Sequence, residues 1–379
     1  MQQIAELCVT LSKVQSIYLR IQEHPACGGR PAAVTLWAVN RDWLLVETLG
    51  EEPVVVGQGR QVKNFVPLGV FLRRNPNLAA IQTAIAETVA TGNGLASITP
   101  KTNRVIRTEP VVMTDGRVHG VHVWCGSADV EPVERPTAGV YKADLALSEG
   151  SVTTDFLVNT GRDPAVEKLT GRSLVEDIPI RVVNEGEAKA LSWSIDPAPG
   201  RTFSATWVWK DPTGQFRRVG FCFRIILEAM EDGSEHLIAR AMNVVESVGE
   251  PTLPGDHLAR RILDGMAQPG VHRAIVDLNT WTLLKWLDEP CPYYDWRVRA
   301  QMHPEDHRLL SARMVDELRS GVTSSVLRLP ANGGGWTPVH VTIHQVELDD
   351  GIYAGILSLR LPSDGELAES GLAAEGVVG

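Results

Sequence analysis

Three Asp-Gly pairs, Asp115-Gly116, Asp232-Gly233 and Asp350-Gly351, stand about 117 residues apart, and each lies between two largely apolar stretches. Asp-Gly in such a setting favours a type I′ hairpin, because both central residues tolerate positive φ. A fixed spacing is the mark of repeated structural units. With 379 residues, the chain is also too long for one average core. A repeat of this period fills it with three domains of ordinary size.

Other stretches keep the same register. "RDWLLVETLGEEP" from Arg41 resembles "NTWTLLKWLDEP" from Asn279, at an offset near two periods. "FSATWVWKDPTGQFRRVGFCFRI" and "SSVLRLPANGGGWTPVHVTIH" both read as strand, Gly-containing turn and strand. "NPNLAAIQTAIAETVATG", "RVVNEGEAKALSW" and "QMHPEDHRLLSARM" fill a helical slot ahead of those strands. The Pro-, Gly- and acid-rich stretches "ADVEPVERPTAG" and "VGEPTLPGD" read as linkers. The expected organisation is an amphipathic helix over 1–25, domains over 26–130, 131–250 and 251–362, and a disordered tail over 363–379. That tail has little to bury.

Composition narrows the function. Hydrophobic residues at 44% and charged residues at 22% are those of a soluble globular protein. A formal charge of −10 argues against a general nucleic-acid binder. No apolar run is long enough to span a bilayer, and the amino terminus lacks a secretory pattern, so a cytoplasmic location is expected. Cys8, Cys27, Cys125, Cys222 and Cys291 are scattered without a CxxC pair, which fits reduced thiols and no zinc site.

Two strands, helices and three antiparallel strands in about 110 residues resemble the PAS domain. In the second unit the resemblance rests on "DPAVEKLTGRSLVEDIP" (Asp163 to Pro179), where a helix is expected to end in a Leu-Thr-Gly turn. In the third it rests on "MHPEDHRLLSARMVDELRSG" and the Gly-Trp hairpin of "LRLPANGGGWTPVHVTI". The first unit follows by register, with the related GAF fold as its alternative. The resemblance implies an α+β fold of three tandem PAS-like domains, each a five-stranded antiparallel sheet flanked by short helices. It further implies a non-enzymatic signalling adaptor that engages a separate effector protein, with small-molecule sensing in a cavity between sheet and helices. A haem- or small-ligand-binding sensor is the alternative, and an enzyme on this fold the third. The Asn-Cys-Arg-Phe signature of flavin-binding light sensors is absent, and no motif supports haem.

Candidate residues follow from spacing. Trp281, Trp286 and Trp296 cluster near Tyr293 and Tyr294 and can line a ligand pocket or pack a core. His340 and His344 share one strand face opposite Val339, Val341 and Ile343. Turned inward they would line a ligand pocket for haem or an anion; turned outward they form a solvated or partner-binding face, and the apolar set is the usual buried one. His119 and His122 fall on opposite faces of a regular strand, so they pair only if a bulge intervenes. His303 and His307 in "HPEDH" have helical metal-ligand spacing, yet Pro304 and the acids after it read as a helix start. Trp207 and Trp209 share a strand face and suggest an interface patch. Ile4, Leu7, Leu11, Val14, Tyr18 and Ile21 form a short heptad seam that would pair with a second protomer or cap the first sheet. Phosphate-loop, nucleophile-elbow, zincin and dinucleotide motifs are absent.

Overall fold

The computed structural model describes residues 42–99, 103–180, 184, 186–249, 257–298, 302–308, 310 and 321–372, and arranges them in antiparallel sheets of six, six and five strands. The amino-terminal seam from Ile4 to Ile21 lies outside the described residues.

The first domain runs β1 (Leu44–Glu47), β2 (Val54–Gln58), β3 (Gln61–Pro67), α1 (Leu68–Phe71), α2 (Leu78–Thr91), β4 (Leu95–Thr99), β5 (Arg104–Val112) and β6 (Val118–Ser127). The second runs β7 (Ala138–Asp144), β8 (Glu149–Val152), α3 (Thr154–Asn159), β9 (Thr170–Ser173), a 3₁₀ turn (Leu174–Asp177), α4 (Glu187–Ile195), β10 (Thr202–Lys210), β11 (Phe216–Ala229) and β12 (Glu235–Val248). The third contains α5 (His257–Gly265), β13 (His272–Val276), β14 (Leu283–Trp286), β15 (Val322–Pro330), β16 (Trp336–Asp349), β17 (Ile352–Arg360) and α6 (Asp364–Ser370). Counted from the start of each domain, the first two sheets have the strand order 3-2-1-6-5-4, and the third has 2-1-5-4-3. The third is the same order without the extra edge strand. The repeat is therefore one of topology.

Several expectations change. The first two sheets have six strands, not five. Gly59, at φ 55°, turns the chain back so that "RQVKNFVP" pairs as β3. The Leu-Thr-Gly stretch opens the short strand β9 instead of ending a helix, and the residues ahead of it form turns. "NTWTLLKWLDEP" holds the second strand of its domain, whereas "RDWLLVETLGEEP" holds the first, so these segments are not equivalent. Only Asp350-Gly351 has two positive φ angles, 31° and 80°. At the other two sites only the glycine is left-handed, and its amide bonds to Met113 O at 2.9 Å or Met230 O at 3.0 Å. The aspartate instead accepts the amide two residues on, Arg117 N at 3.1 Å and Ser234 N at 2.9 Å. Residues 364–370, expected to be disordered, form a helix. Ser363 and Glu366 make a reciprocal capping box there, and Arg360 pairs with Glu366 at 2.9 Å.

In the first domain, α2 buries Ile81, Ala84 and Ile85 against Val46, Val55, Ile106, Val121 and Val123 on one face of the sheet. The other face, through Leu45, Val54, Val56, Val111 and Met113, packs on Val140, Cys222, Met242 and Val244 of the second sheet. The approach is close: a Cβ on Gly220 would lie 2.1 Å from Val62. Glu47 accepts two hydrogen bonds from Arg224, at 2.7 and 3.0 Å. Arg240, only 3% exposed, donates to Asp115 and Glu228, both at 2.8 Å, and approaches His119 Nε2 at 2.9 Å.

His119 sits where the β5–β6 register slips, Val111 pairing with Gly120 and Val112 with Val118. This bulge reverses the alternation. His119 therefore meets Arg240 and Ala241 O of the second domain, while His122, paired with Leu45, lies on that same face. The expectation of opposite faces fails here. Among the described residues no group of side chains is arranged to hold a metal ion.

Beside the Arg240 guanidinium, His119 accepts at Nε2 and donates Nδ1–H to Ala241 O at 3.3 Å, so it is neutral. Burial, with Arg240 alongside, lowers its pKa to about 3. Burial, with Arg135 in the background, lowers His122 to about 3 as well. The unfolded chain takes up these protons below about pH 6.5 and the folded chain does not, so stability falls as pH drops from about 6.5 towards 3. Between pH 6.5 and 5.0 each histidine removes up to about 2 kcal/mol. Urea denaturation at the two pH values is expected to show His122→Leu losing about 2 kcal/mol less than the wild type over that interval.

Candidate functional site

In the second domain, the face of the sheet turned away from the first domain carries small residues at its centre. Ala143 on β7 and Ala239 and Ala241 on β12 line this region, with Tyr141 and Asn243 beside them. Large rings stand around them: Trp207 and Trp209 from β10, Phe221 and Phe223 from β11, Phe156 from α3 and Trp193 from α4. Small residues below and rigid rings around leave space that the rings cannot collapse into. The result is a cavity of about 120 Å³. Leu174 and Asp177 of the 3₁₀ segment, Ile178 just after it, and Ala190 and Ser194 of α4 close it above. Gly139 lets α3 seat this low, since a Cβ there would lie 2.3 Å from Phe156 Cα.

The polar groups around this space are almost all committed. Asn243 accepts from Asn159 Nδ2 at 2.9 Å and donates to Phe156 O at 3.2 Å. Asp177 accepts from Arg172 at 2.9 and 3.0 Å and pairs with Arg162 at 3.0 Å. Arg172, 1% exposed, also donates to Glu167 Oε2 at 3.0 Å and Lys168 O at 2.7 Å. Arg162 lies over the Trp209 ring at 5.4 Å. Tyr141, stacked on Phe156 at 5.4 Å, has no hydrogen-bond partner for its hydroxyl among the described residues. Burial holds its pKa well above the ordinary value, with the Asp177 carboxylate adding to the effect. The phenol therefore stays protonated, as a donor beside an apolar void. The Trp209 Nε1–H is likewise buried without a partner. This arrangement offers shape, aromatic surface and two hydrogen-bond donors; its one lining carboxylate is paired with two guanidiniums.

The expected site residues fall elsewhere or serve otherwise. Trp207 and Trp209, expected at an interface, are 4% and 9% exposed and line the cavity. Trp281, Trp286 and Trp296 are buried in the core of the third domain, Trp286 meeting Trp296 edge-on at 6.0 Å. There Leu357, Leu359, Val341 and Met302 leave a void of only about 30 Å³, with Trp281 on its rim. His340 and His344 do not reach it: Val339, Val341 and Ile343 are the buried set. His340 meets Ser324 Oγ at 3.0 Å and Glu366 at 3.3 Å on the outer face, and His344 is exposed. His303 caps the helical turn at 304–308, accepting Glu305 N at 3.2 Å. The residues that shape the cavity were missed; the one signal for them is the alternating small residues in "IARAMN", Ala239, Ala241 and Asn243, where the other sheets carry bulkier ones.

The sequence matches three family models in order: the Rv3651-like N-terminal domain over 42–134, the middle domain over 137–246 and the C-terminal domain over 256–370. The crystal structure of an uncharacterized protein from Mycobacterium tuberculosis is 50% identical, with a TM-score of 0.81 over 88% of this chain and 100% of that one. The structure of an RNA-binding light-oxygen-voltage receptor aligns over 63% of this chain and 99% of that one at 9% identity, and its TM-score of 0.23 carries no argument. Among curated proteins nothing matches. The third model reaches residue 370 and so includes the capped helix α6. No helix among the described residues is long and apolar enough to cross a membrane. The matches to all three models, with the half-identical relative covered from end to end, establish that the chain belongs to the Rv3651-like family.

Proposed function

We propose that this chain is a non-enzymatic regulatory adaptor of three PAS-like domains whose middle domain binds a small, neutral, largely apolar ligand about one aromatic ring in size. The observation that carries this reading is the middle-domain cavity with its two uncommitted donors, the Tyr141 hydroxyl and the Trp209 Nε1–H. A cavity of about 150 Å³ with apolar walls takes up benzene, and this one, at about 120 Å³, is of that order. A charged ligand is disfavoured because Asp177 and Glu167 already balance Arg162 and Arg172 at the cavity's polar end. A ligand with one acceptor atom satisfies Tyr141 and leaves no polar group of its own buried unpaired.

The adaptor role rests on the tandem arrangement. Two domains flank the cavity domain and pack on it through buried ion pairs, so a change in the middle has a path to surfaces that can meet an effector protein.

Phenol, neutral at pH 7, and benzoate, of similar size but charged, serve as probes. Calorimetry and native mass spectrometry of the full chain are expected to show one phenol bound and no benzoate. Ala239→Leu, which fills the void from the sheet side, is expected to abolish phenol binding. Tyr141→Phe is expected to weaken it by about fivefold, the worth of one hydrogen bond of about 1 kcal/mol. Benzoate binding as tightly as phenol would overturn the neutral-ligand reading. No binding of either probe, with Ala239→Leu leaving stability unchanged, would leave a pure interaction scaffold as the function.

A further inference from the structure

The elements that roof the cavity are also the elements that dock the third domain. In the 3₁₀ segment, Leu174 and Asp177 face the cavity, while Val175 between them is buried in the hydrophobic core of the third domain. Glu176 pairs with Arg297 at 3.7 Å. In α4, Ala190, Trp193 and Ser194 line the cavity, and Glu187 at the start of the helix accepts from Lys285 Nζ at 2.6 Å. The same ammonium donates to Pro179 O at 2.7 Å, just beyond the 3₁₀ segment. Lys285 is 2% exposed and Glu187 is 5% exposed. Lys285 sits on β14 between Leu284 and Trp286, so its position is fixed by the third domain's own core.

We infer that Lys285 is a latch that reports occupancy of the middle-domain cavity to the third domain, by holding both roof segments, at Pro179 and at Glu187, to strand β14. The inference rests on the ligand-binding reading for its physiological input, but the latch is tested without any ligand. One buried ammonium bonds two segments that together close the cavity, so neither moves outward without lengthening a buried, charge-assisted hydrogen bond. Expansion of the cavity therefore shifts β14, or the latch opens. Reciprocally, anything that favours one position of β14 favours one state of the cavity. The cavity wall towards the first domain is held differently, since Ala239 and Ala241 belong to a continuous hydrogen-bonded sheet.

Hydrogen exchange of the full chain, followed by mass spectrometry, separates the two readings. Ala239→Leu stands in for a bound ligand, since it fills the void from the sheet and not from the roof segments that the latch holds. It is expected to change amide exchange over Leu283–Trp286 by about fivefold, the lower end of usual site-to-site coupling. In a Lys285→Met background the same substitution is expected to change exchange there by less than about twofold, while α4 still responds. Should Lys285→Met not fold, Glu187→Gln keeps an acceptor for the lysine and is expected to reduce the response by at least half. A β14 that ignores Ala239→Leu while α4 responds, or a response undiminished by either latch variant, overturns the latch. Failure of phenol to bind the wild type, with the Ala239→Leu response intact, would sink the ligand class and leave the latch standing.

Discussion

Strand β12 is asked to serve two cores at once. Its odd-numbered positions Ala239, Ala241 and Asn243 face the cavity, and its even-numbered positions Arg240, Met242 and Val244 face the first domain. A strand has only these two faces, and a one-residue slip would exchange them. Such a slip would put the Arg240 guanidinium into an aromatic box and leave an alanine against Asp115. The register of the central sheet is thus fixed by the cost of burying a charge without partners. The position of the first domain and the shape of the cavity both depend on it.

The buried ion pairs act in the same way at the other contacts. Glu47–Arg224 and Arg240–Asp115 join the first two domains, and Lys285–Glu187 joins the second and third. Desolvation offsets much of the attraction in each pair, so their gain in stability is modest. Their geometry is strict, however. Burial works to raise the Glu187 pKa while Lys285 works against it, and among the described residues the carboxylate has no other charged partner that could take its place. Apolar contact alone would allow the domains to slide; paired charges at 2.6 to 2.8 Å allow one docked arrangement.

The repeat was legible in the sequence because hairpin turns constrain local residues strongly, and Asp-Gly survives where side-chain identity drifts. Turn type was less legible. Asp115 and Asp232 solve the same corner with a side-chain hydrogen bond to the amide two residues on, a choice set by the strands on either side. The extra edge strands escaped because β3 follows a glycine turn and β9 has only four residues, too short for a period to show. The capping box at Ser363 and Glu366 was present in the sequence, but polar composition around it reads as a tail. The histidines misled for a different reason: a bulge at His119 is a long-range pairing event, and it inverts every inference drawn from alternation.

The cavity was the least legible feature, because it is made by what is missing. Tryptophans draw attention, yet the cluster at Trp281, Trp286 and Trp296 fills its domain solidly, while the functional candidate lies over alanines. Both domains apply the same order of central strands, and both have aromatic residues near the sheet. They differ in what stands at the centre: Leu357 and Leu359 in one, Ala239 and Ala241 in the other. Replacing a leucine by alanine in a core ordinarily costs about 2 to 5 kcal/mol, because the neighbours cannot fully collapse. In the middle domain that collapse is blocked on one side by the first domain's sheet and on the other by roof segments tied to Lys285. The flanking domains thus hold open a space that an isolated domain of this sequence would tend to close.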